Sequence, residues 1–436
     1  MAAARFLHDE WLRRIVVALA LLMLLTVADP GRWLSAQATP GRIGSPPSAT
    51  LFTLTVRAYF VAPDADWHRE VSTAYGALGD PEASLAHLAA AATQSSDPVQ
   101  WHTVATRFLE RGDWAAARQA LETILNLASD DPLAHYWLGV LIVPYNTREA
   151  YTHFATAGRD PALAAAAQTL RETIAATQMD NPAYQSAALG MALAGLEHWP
   201  QAEQAFVTAA TLDPTYAEAW AYLALARAQQ GKEATAAAAQ AASLAPQNAL
   251  VAYLLGLTWR AGGDYTRSRL ALAQAQQMEP QNPAFAAELG DAYRLEGNLP
   301  LAEQWFRQAA ILAGNEDTFL NLLALFYADT LHNLTGNGLA VLQEAAAQEP
   351  SNATIQAAYG WVLFNLGQTE AAQESVQLAL SLEPDNPRAL YYLGLIAQMQ
   401  GRRDEAISAL LRLLDHSQPQ GFDVLARRAL ENMGYR

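Results

Sequence analysis

A segment of about 34 residues recurs along this chain and restricts its possible folds more than any other feature. The copy from Ala353 to Asn386 reads ATIQAAYGWVLFNLGQTEAAQESVQLALSLEPDN. Clear copies start at Ala183, Ala249, Pro283, Ala353 and Pro387, and weaker copies start near Ala65, Pro98, Pro132, Ala217 and Asp317. About ten copies therefore occupy most of the chain, and the copy from Asp317 runs slightly long.

Each copy predicts two helices joined by a turn. The residues at positions 4, 7, 8 and 11 share one stripe of a first helix, and those at positions 20, 24 and 27 share one stripe of a second helix. Glycine at position 8, such as Gly360, allows the paired helices to cross closely. Glycine near position 15, such as Gly367, ends the first helix in a left-handed conformation. Because one pair cannot bury its apolar faces alone, neighbouring pairs must stack.

The pattern resembles the tetratricopeptide repeat family. The resemblance rests on glycine at position 8, alanine at positions 20 and 27 and proline at position 32, and it extends from about Ala65 to Gln420. It implies an all-α fold: a right-handed superhelical solenoid of about ten antiparallel helix pairs, with the first helices on the concave side and a C-terminal cap helix. The predicted organisation is repeats 1–3 over residues 65–158, an irregular extra helix over 159–182, repeats 4–10 over 183–420 and the cap helix over 421–436.

The N-terminus predicts a segment that targets the chain to a membrane, residues 1–38. Two arginines, Arg13 and Arg14, precede fourteen uncharged and almost wholly apolar residues, Ile15–Ala28. A helix that spans a bilayer needs about 20 such residues, so the length suits a signal peptide, which Ala36-Gln37-Ala38 would allow to be cleaved. An uncleaved anchor and a buried core helix are the alternatives. In both membrane interpretations the arginines keep their side in the cytoplasm and place the repeats outside it.

Residues 39–64 separate this segment from the repeats. They begin as a linker rich in proline, glycine and serine. They continue into a short apolar segment, LFTLTVRAYFV, whose periodicity fits a strand or a helix equally well.

Composition excludes several classes of function. The formal net charge is −16, and Lys232 is the only lysine, which disfavours a nucleic-acid partner because nucleic-acid binding begins with a basic face. Without cysteine there is no disulfide, thiolate metal site or cysteine nucleophile. No glycine-rich phosphate loop or nucleophile elbow occurs, and no segment outside the repeats is long enough to form a catalytic domain. We therefore expect no cofactor, no metal and no enzymatic activity. His135 and His153 fall in one helix pair and can approach each other, but we interpret them as ordinary surface or cleft histidines.

The first helices are apolar on a second face. In the resembled family, positions 2, 5, 9 and 12 of each first helix face the concave groove. Position 9 is apolar in seven of the eight copies from Pro132 onward, and it holds Trp361. Arg260 and Arg294 form either a small cationic spot or ordinary solubilising groups. The predicted peptide-binding groove consists of Tyr136, Val140, Met191, Leu225, Tyr253, Leu257, Arg260, Arg294, Trp361, Phe364, Tyr391 and Leu395.

A helix that is apolar on two sides is normally covered on both. Three covers compete: a partner's amphipathic helix or extended peptide, the chain's own apolar segment, or adjacent first helices that approach closely. The sequence therefore predicts a non-catalytic scaffold that binds a protein or peptide at the cell envelope and contacts the membrane only through its N-terminal segment. The alternative is a structural assembly or accessory subunit of an envelope complex, for polysaccharide or secretion, which uses its outer face while its groove is filled by its own residues.

Overall fold

The computed structural model describes residues 47–178, 181–314, 316–416 and 421–435. The predicted signal peptide or anchor, residues 1–38, and the start of the linker lie outside the described residues. Within the part of the chain that is described, no helix is both long and apolar enough to cross a membrane.

The described residues form helices and connecting turns, with no strand among them. The prediction of an all-α repeat fold is confirmed. The helices are α1 (Pro47–Phe60), α2 (Ala65–Ala77), α3 (Pro81–Ser95), α4 (Pro98–Arg111), α5 (Trp114–Leu127), α6 (Pro132–Ile142), α7 (Thr147–Ala157), α8 (Ala164–Ala176), α9 (Pro182–Gly195), α10 (Trp199–Leu212), α11 (Ala217–Gln229), α12 (Thr235–Leu244), α13 (Ala249–Ala261), α14 (Tyr265–Met278), α15 (Pro283–Leu295), α16 (Leu299–Ala313), α17 (Asp317–Thr330), α18 (Leu339–Gln348), α19 (Ala353–Asn365), α20 (Thr369–Leu382), α21 (Pro387–Met399), α22 (Arg403–His416) and α23 (Phe422–Asn432).

The chain divides into two compact units, Met1–Thr208 and Ala209–Arg436, and the boundary falls within α10. In unit 1 the core includes Leu121 and Ile124 of α5, both buried against neighbouring pairs. In unit 2 a core cluster runs from α16 to α21 and contains Tyr327 and Trp361. Each unit is therefore built from helix pairs that bury their faces against the next pair, as a repeat array requires.

Short polar turns decide where the helices begin. Asp131 accepts a hydrogen bond from the backbone N–H of Ala134 at 2.8 Å, and Asn352 accepts one from Ile355 at 3.2 Å. Such a cap satisfies one of the N–H groups that have no partner in the first turn of a helix. The recurrent aspartate or asparagine between helices thus marks the helix starts along the array.

Glycine at position 8 is required by contact with the second helix of its pair. A Cβ atom at Gly190 would lie 2.6 Å from Cε1 of Phe206 in unit 1. In unit 2, a Cβ at Gly360 would lie 2.8 Å from Cγ2 of Val376 and 2.9 Å from the backbone oxygen of Ala372. The predicted close crossing is confirmed at both positions, because a larger residue would push the two helices apart.

Helix α1 settles the alternatives for the apolar segment. LFTLTVRAYFV lies largely in α1, so the segment is helical rather than a strand. Leu54 is buried, and its carbonyl oxygen accepts a 2.8 Å hydrogen bond from the indole N–H of Trp67 in α2. The segment therefore packs against the first helix of the first predicted repeat.

Two stretches depart from the regular pairs. Helix α8 lies in the region predicted as an irregular extra helix, and it buries Leu170 and Ile174. Between α17 and α18 the chain forms a π-helix, Leu334–Gly338, preceded by left-handed backbone at Leu331 and Asn333. This added turn accounts for the extra length of the copy from Asp317. The exact domain boundaries remain predictions.

Candidate partner-binding groove

The predicted groove residues differ in how much surface they present. Tyr136, Val140, Leu225 and Trp361 are buried. The other eight are partly buried: Met191, Tyr253, Leu257, Arg260, Arg294, Phe364, Tyr391 and Leu395. We call the surface that carries these groove positions of the first helices the first-helix face. It therefore combines buried and partly exposed side chains, and the role of these residues in binding a partner remains a prediction.

Trp361 is covered by the next first helix along the chain. Its ring stacks on that of Tyr392 in α21, with centroids 5.1 Å apart and planes only 4° from parallel. The ring of Phe364 lies on the same helix, with its centroid 6.2 Å from that of Trp361. Only 9% of Trp361 is exposed. At this position, close approach of adjacent first helices provides the cover, which was the third of the three possibilities.

Two tyrosines of the predicted groove also join neighbouring elements. The hydroxyl of Tyr136 lies 2.7 Å from Nε2 of His198, in the turn before α10, and burial raises the pKa of Tyr136 to about 12. The ring of Tyr253 stacks on Phe285 of α15 with centroids 4.9 Å apart, and its pKa is also raised to about 12, chiefly by burial. These phenols therefore stay neutral at physiological pH and act first as packing groups.

A cavity of about 450 Å³ opens on the first-helix face of unit 2, and we call it the α15–α17 cavity. Apolar side chains from α17 form one wall, and among them Leu322 is 39% exposed. Charged side chains from α13, α15, α17 and α21 form the rim. The complete lining is Arg260, Ala284, Ala287, Glu288, Asp291, Arg294, Phe306, Phe319, Leu322, Leu325, Phe326, Asp329 and Arg388.

The two predicted groove arginines are paired with carboxylates. Arg260 forms ion pairs with Glu288 and, at 3.0 Å, with Asp291. Arg294 pairs with the other oxygen of Asp291 at 2.6 Å. The suggestion of a cationic spot is therefore wrong, because two carboxylates neutralise the two guanidinium groups. Burial raises the pKa of Glu288, and the charge and hydrogen bond of Arg260 oppose that rise.

A further ion pair, between α17 and α21, also lines the cavity. Arg388 of α21 pairs with Asp329 of α17, and it donates a 2.8 Å hydrogen bond to the hydroxyl of Tyr392. Its guanidinium also lies 5.0 Å from the ring centroid of Phe422. Arg388 was not among the predicted groove residues. It occupies position 2 of its copy, and position 2 faces the groove in the tetratricopeptide repeat geometry, so its position in the repeat could have identified it.

Leu322 and Glu288 were missed for a different reason. Both lie at position 6, outside the positions assigned to the groove. Their contribution follows from the local packing of α15 and α17, which the periodic pattern does not specify. Across the described ranges, no group of three or more His, Cys, Asp or Glu side chains is arranged to hold a metal ion.

The helix pairs, the glycine crossings and the first-helix cavity define a helical repeat protein with a candidate binding face. The model of the tetratricopeptide repeat family matches residues 105–142, 187–249, 253–317 and 358–422, which is more than half of the chain. The chain therefore belongs to the tetratricopeptide repeat family. Such repeats imply a protein-interaction scaffold.

Comparison with solved structures and curated proteins gives more distant similarities. The crystal structure of yeast Tom70 is 13% identical with a TM-score of 0.43, over 85% of this chain and 96% of the chain in that structure. A tetratricopeptide repeat protein from Parabacteroides merdae is 13% identical with a TM-score of 0.46, over 61% of this chain and 98% of that protein. The human protein O-mannosyl-transferase TMTC1 is 29% identical over 118 residues, 27% of this chain. The match spans only 13% of the length of that relative.

Proposed function

We propose that this protein is a non-catalytic scaffold that binds a peptide or helix of a protein partner on the first-helix face of unit 2. The observation that carries the proposal is the α15–α17 cavity, which combines an accessible leucine, Leu322, with a rim of paired charges. A concave apolar site with a few fixed polar groups is the usual form of a binding site. The human relative is named as a transferase, but the similarity to it covers too little of that protein to change the proposal.

The chemistry of the cavity indicates how a partner segment binds. An apolar side chain of the partner enters beside Leu322 and displaces water from the α17 wall, which supplies most of the affinity. Backbone or side-chain polar groups of the partner then meet the rim of Arg260, Asp291 and Arg294. Because these three groups already bond to one another, they are held in fixed positions and set the register of the bound segment.

A peptide selection tests this proposal. A library of displayed peptides is panned against the full chain, and the selected peptides are measured by titration. We expect Leu322→Asp to weaken binding by about tenfold or more, because it places a charge on the apolar wall. Leu270→Asp is the matched control, since Leu270 is 56% exposed on α14 and lies outside the cavity. Selected peptides that bind both variants equally well would place the binding site elsewhere.

The second candidate function is a structural assembly or accessory subunit of an envelope complex that uses its outer face. The burial of Trp361 and Tyr136 favours it, because these residues are covered by their own chain. A photo-reactive amino acid placed at Leu322 or at Leu270 in the living cell separates the two functions. Cross-links to a partner from Leu322 support the groove scaffold, whereas cross-links from Leu270 alone support the outer-face assembly.

We also propose that the repeats lie outside the cytoplasmic membrane, held there or released there after export by the N-terminal segment. The support is the order of charge and hydropathy in residues 13–28. A reporter enzyme that is active only outside the cytoplasm, fused after Arg436, tests the location. Activity that disappears when residues 15–28 are deleted supports export, and an inactive full-length fusion contradicts it.

A further inference from the structure

In each of two helix pairs of unit 1, a histidine of the first helix contacts a histidine of the second helix, and the two contacts involve matching positions. The Nδ1 atoms of His135 in α6 and His153 in α7 lie 2.7 Å apart. The Nδ1 atoms of His68 in α2 and His87 in α3 lie 2.9 Å apart. In both pairs the fourth residue of the first helix meets the seventh residue of the second helix. We propose that the His135–His153 contact is a proton-sensitive lock, which holds α6 against α7 at neutral pH and loosens in acid.

The hydrogen bonds fix the tautomers of the neutral lock. Nε2 of His135 lies 3.0 Å from the carbonyl oxygen of Ser129, which can only accept, so Nε2 carries the proton. A neutral imidazole has one proton, and Nδ1 of His135 is therefore the acceptor. His153 donates to it from its own Nδ1–H. The contact thus requires at least one Nδ1 without a proton.

Protonation of both rings removes this contact. One added proton is accommodated, because His153 can move its proton to Nε2 and then accept from a protonated His135. A second added proton leaves two N–H groups facing each other at 2.7 Å, and two positive charges beside them. Burial first, and then the charge of His135, lower the pKa of His153. His153 therefore binds a proton less readily in the folded chain than in the unfolded chain, so its contribution to stability falls as the pH drops below about 6.5.

The charged groups around His153 do not remove this sensitivity. Glu149 on α7 favours the protonated ring, whereas Arg118 on α5 opposes it. Arg118 is itself bonded to Glu122, which lines a cavity of about 240 Å³ together with His153.

Three charged or titratable groups near α6 and α7 bind partners other than His135 and His153. On α8, Arg171 lies over the ring of Tyr151 and donates to its hydroxyl. Before α6, Asp131 pairs with His102 of α4 at 2.9 Å. His198 reaches α6 through the hydroxyl of Tyr136. The balance at His153 is thus set chiefly by burial and by its histidine partner.

Opening of the lock would act on the first-helix face of unit 1. Tyr136 follows His135 directly in α6, and Val140 lies one helical turn beyond it. Both are buried while the pair is closed. Loosening α6 from α7 would therefore change the packing of two predicted groove residues in response to pH.

Hydrogen–deuterium exchange of the full chain tests the lock. After correction for the intrinsic effect of pH, we expect amides of α6 and α7 to exchange about tenfold faster near pH 5 than near pH 8. Amides of α13 and α14 serve as the internal control, because these helices contain no histidine. The variant His153→Asn keeps a side-chain N–H that can donate to His135 but cannot gain a charge. Its α6 and α7 exchange rates should therefore differ by less than about twofold between pH 5 and pH 8.

The proposal would be overturned if amide exchange in the control helices were accelerated as much near pH 5 as in α6 and α7. It would also be overturned if His153→Asn showed the same acceleration of α6–α7 exchange as the wild type. Nitrogen NMR of the histidine rings gives a second measurement that needs no variant. It should show His135 protonated at Nε2 and His153 at Nδ1 near pH 8, with His153 titrating below the ordinary value of about 6.5. A His153 that titrates at or above that value would refute the lock even if His153→Asn failed to fold.

Discussion

The hydroxyl of Tyr327 in α17 donates a 2.8 Å hydrogen bond to the carboxylate of Glu303 in α16, and both residues are buried. The same carboxylate accepts from Asn337 at 2.7 Å and from Asn333 at 3.0 Å, and His332 lies 3.2 Å from it. One acidic side chain thus fastens the irregular connection between α17 and α18 to the preceding helix pair. The connection needs this support because Leu331 and Asn333 hold left-handed backbone, which is costly for residues other than glycine.

The first prediction concerns this carboxylate. Glu303→Gln removes the negative charge and replaces one acceptor oxygen with a donor, so the hydrogen bonds from Tyr327, Asn333 and Asn337 weaken. We expect the free energy of unfolding to fall by about 1–3 kcal/mol, measured by chemical denaturation at neutral pH. Glu374→Gln, at an exposed site on α20, is the control and should change stability little.

The pH dependence gives the same residue a second test. Burial alone would raise the pKa of Glu303, but hydrogen bonds from Asn337, Tyr327 and Asn333 and the nearby His332 outweigh it and lower the pKa. A depressed pKa contributes stability that is present above the unfolded value of about 4.3 and is lost as the pH falls through the folded value. The difference between the wild type and Glu303→Gln should therefore shrink in acid. A constant difference would show that the charge of Glu303 is unimportant.

The second prediction concerns the glycine crossings. At Gly360, an added methyl group would meet the backbone oxygen of Ala372 at 2.9 Å, and backbone cannot move as cheaply as a flexible side chain. We expect Gly360→Ala to destabilise the protein by about 1–3 kcal/mol and lower its melting temperature. Gly195→Ala is the matched control, because no atom lies within 4 Å of its added Cβ. If the two variants had the same melting temperature, the close crossing at Gly360 would not be a source of stability.

The sequence predicted the helix pairs because their determinants are local and repeated. Gly190 and Gly360 recur at the same position, and each contact repeats with the period. The attachment of the π-helix by Glu303 was not predictable, since it depends on a single copy that departs from the pattern. The sequence detected only that this copy is longer.

The groove was less predictable than the fold. The period identifies which residues face the first-helix side, but it does not give the distance between adjacent first helices. That distance decides whether Trp361 is open to a partner or stacked on Tyr392. The charges of Arg260 and Arg294 were visible in the sequence, whereas their pairing with Glu288 and Asp291 depends on how α13 and α15 are packed.

The third prediction follows from the stacking of Trp361. Trp361→Ala removes a buried ring that stacks on Tyr392. We expect a loss of about 3–5 kcal/mol in the free energy of unfolding, because the cavity left beside Tyr392 cannot collapse fully. Leu378→Ala, at a residue 42% exposed on α20, should cost far less. A small effect of Trp361→Ala on stability, together with a large loss of peptide binding, would instead favour a direct contact with a partner.

The last prediction concerns the ion pair between Arg260 and Glu288. Arg260→Gln removes the positive charge that opposes the burial-raised pKa of Glu288, so this pKa should rise further. A carboxyl whose folded pKa exceeds its unfolded value destabilises the fold progressively as the pH rises above about 4.3. The stability difference from the wild type should therefore be smallest near pH 4 and grow, to about 1–3 kcal/mol, near pH 8. Thermal unfolding across this range measures the effect, with Arg148→Gln, at an exposed site on α7, as the control. A stability difference that stayed constant with pH would mean that Arg260 contributes through packing rather than through its charge on Glu288.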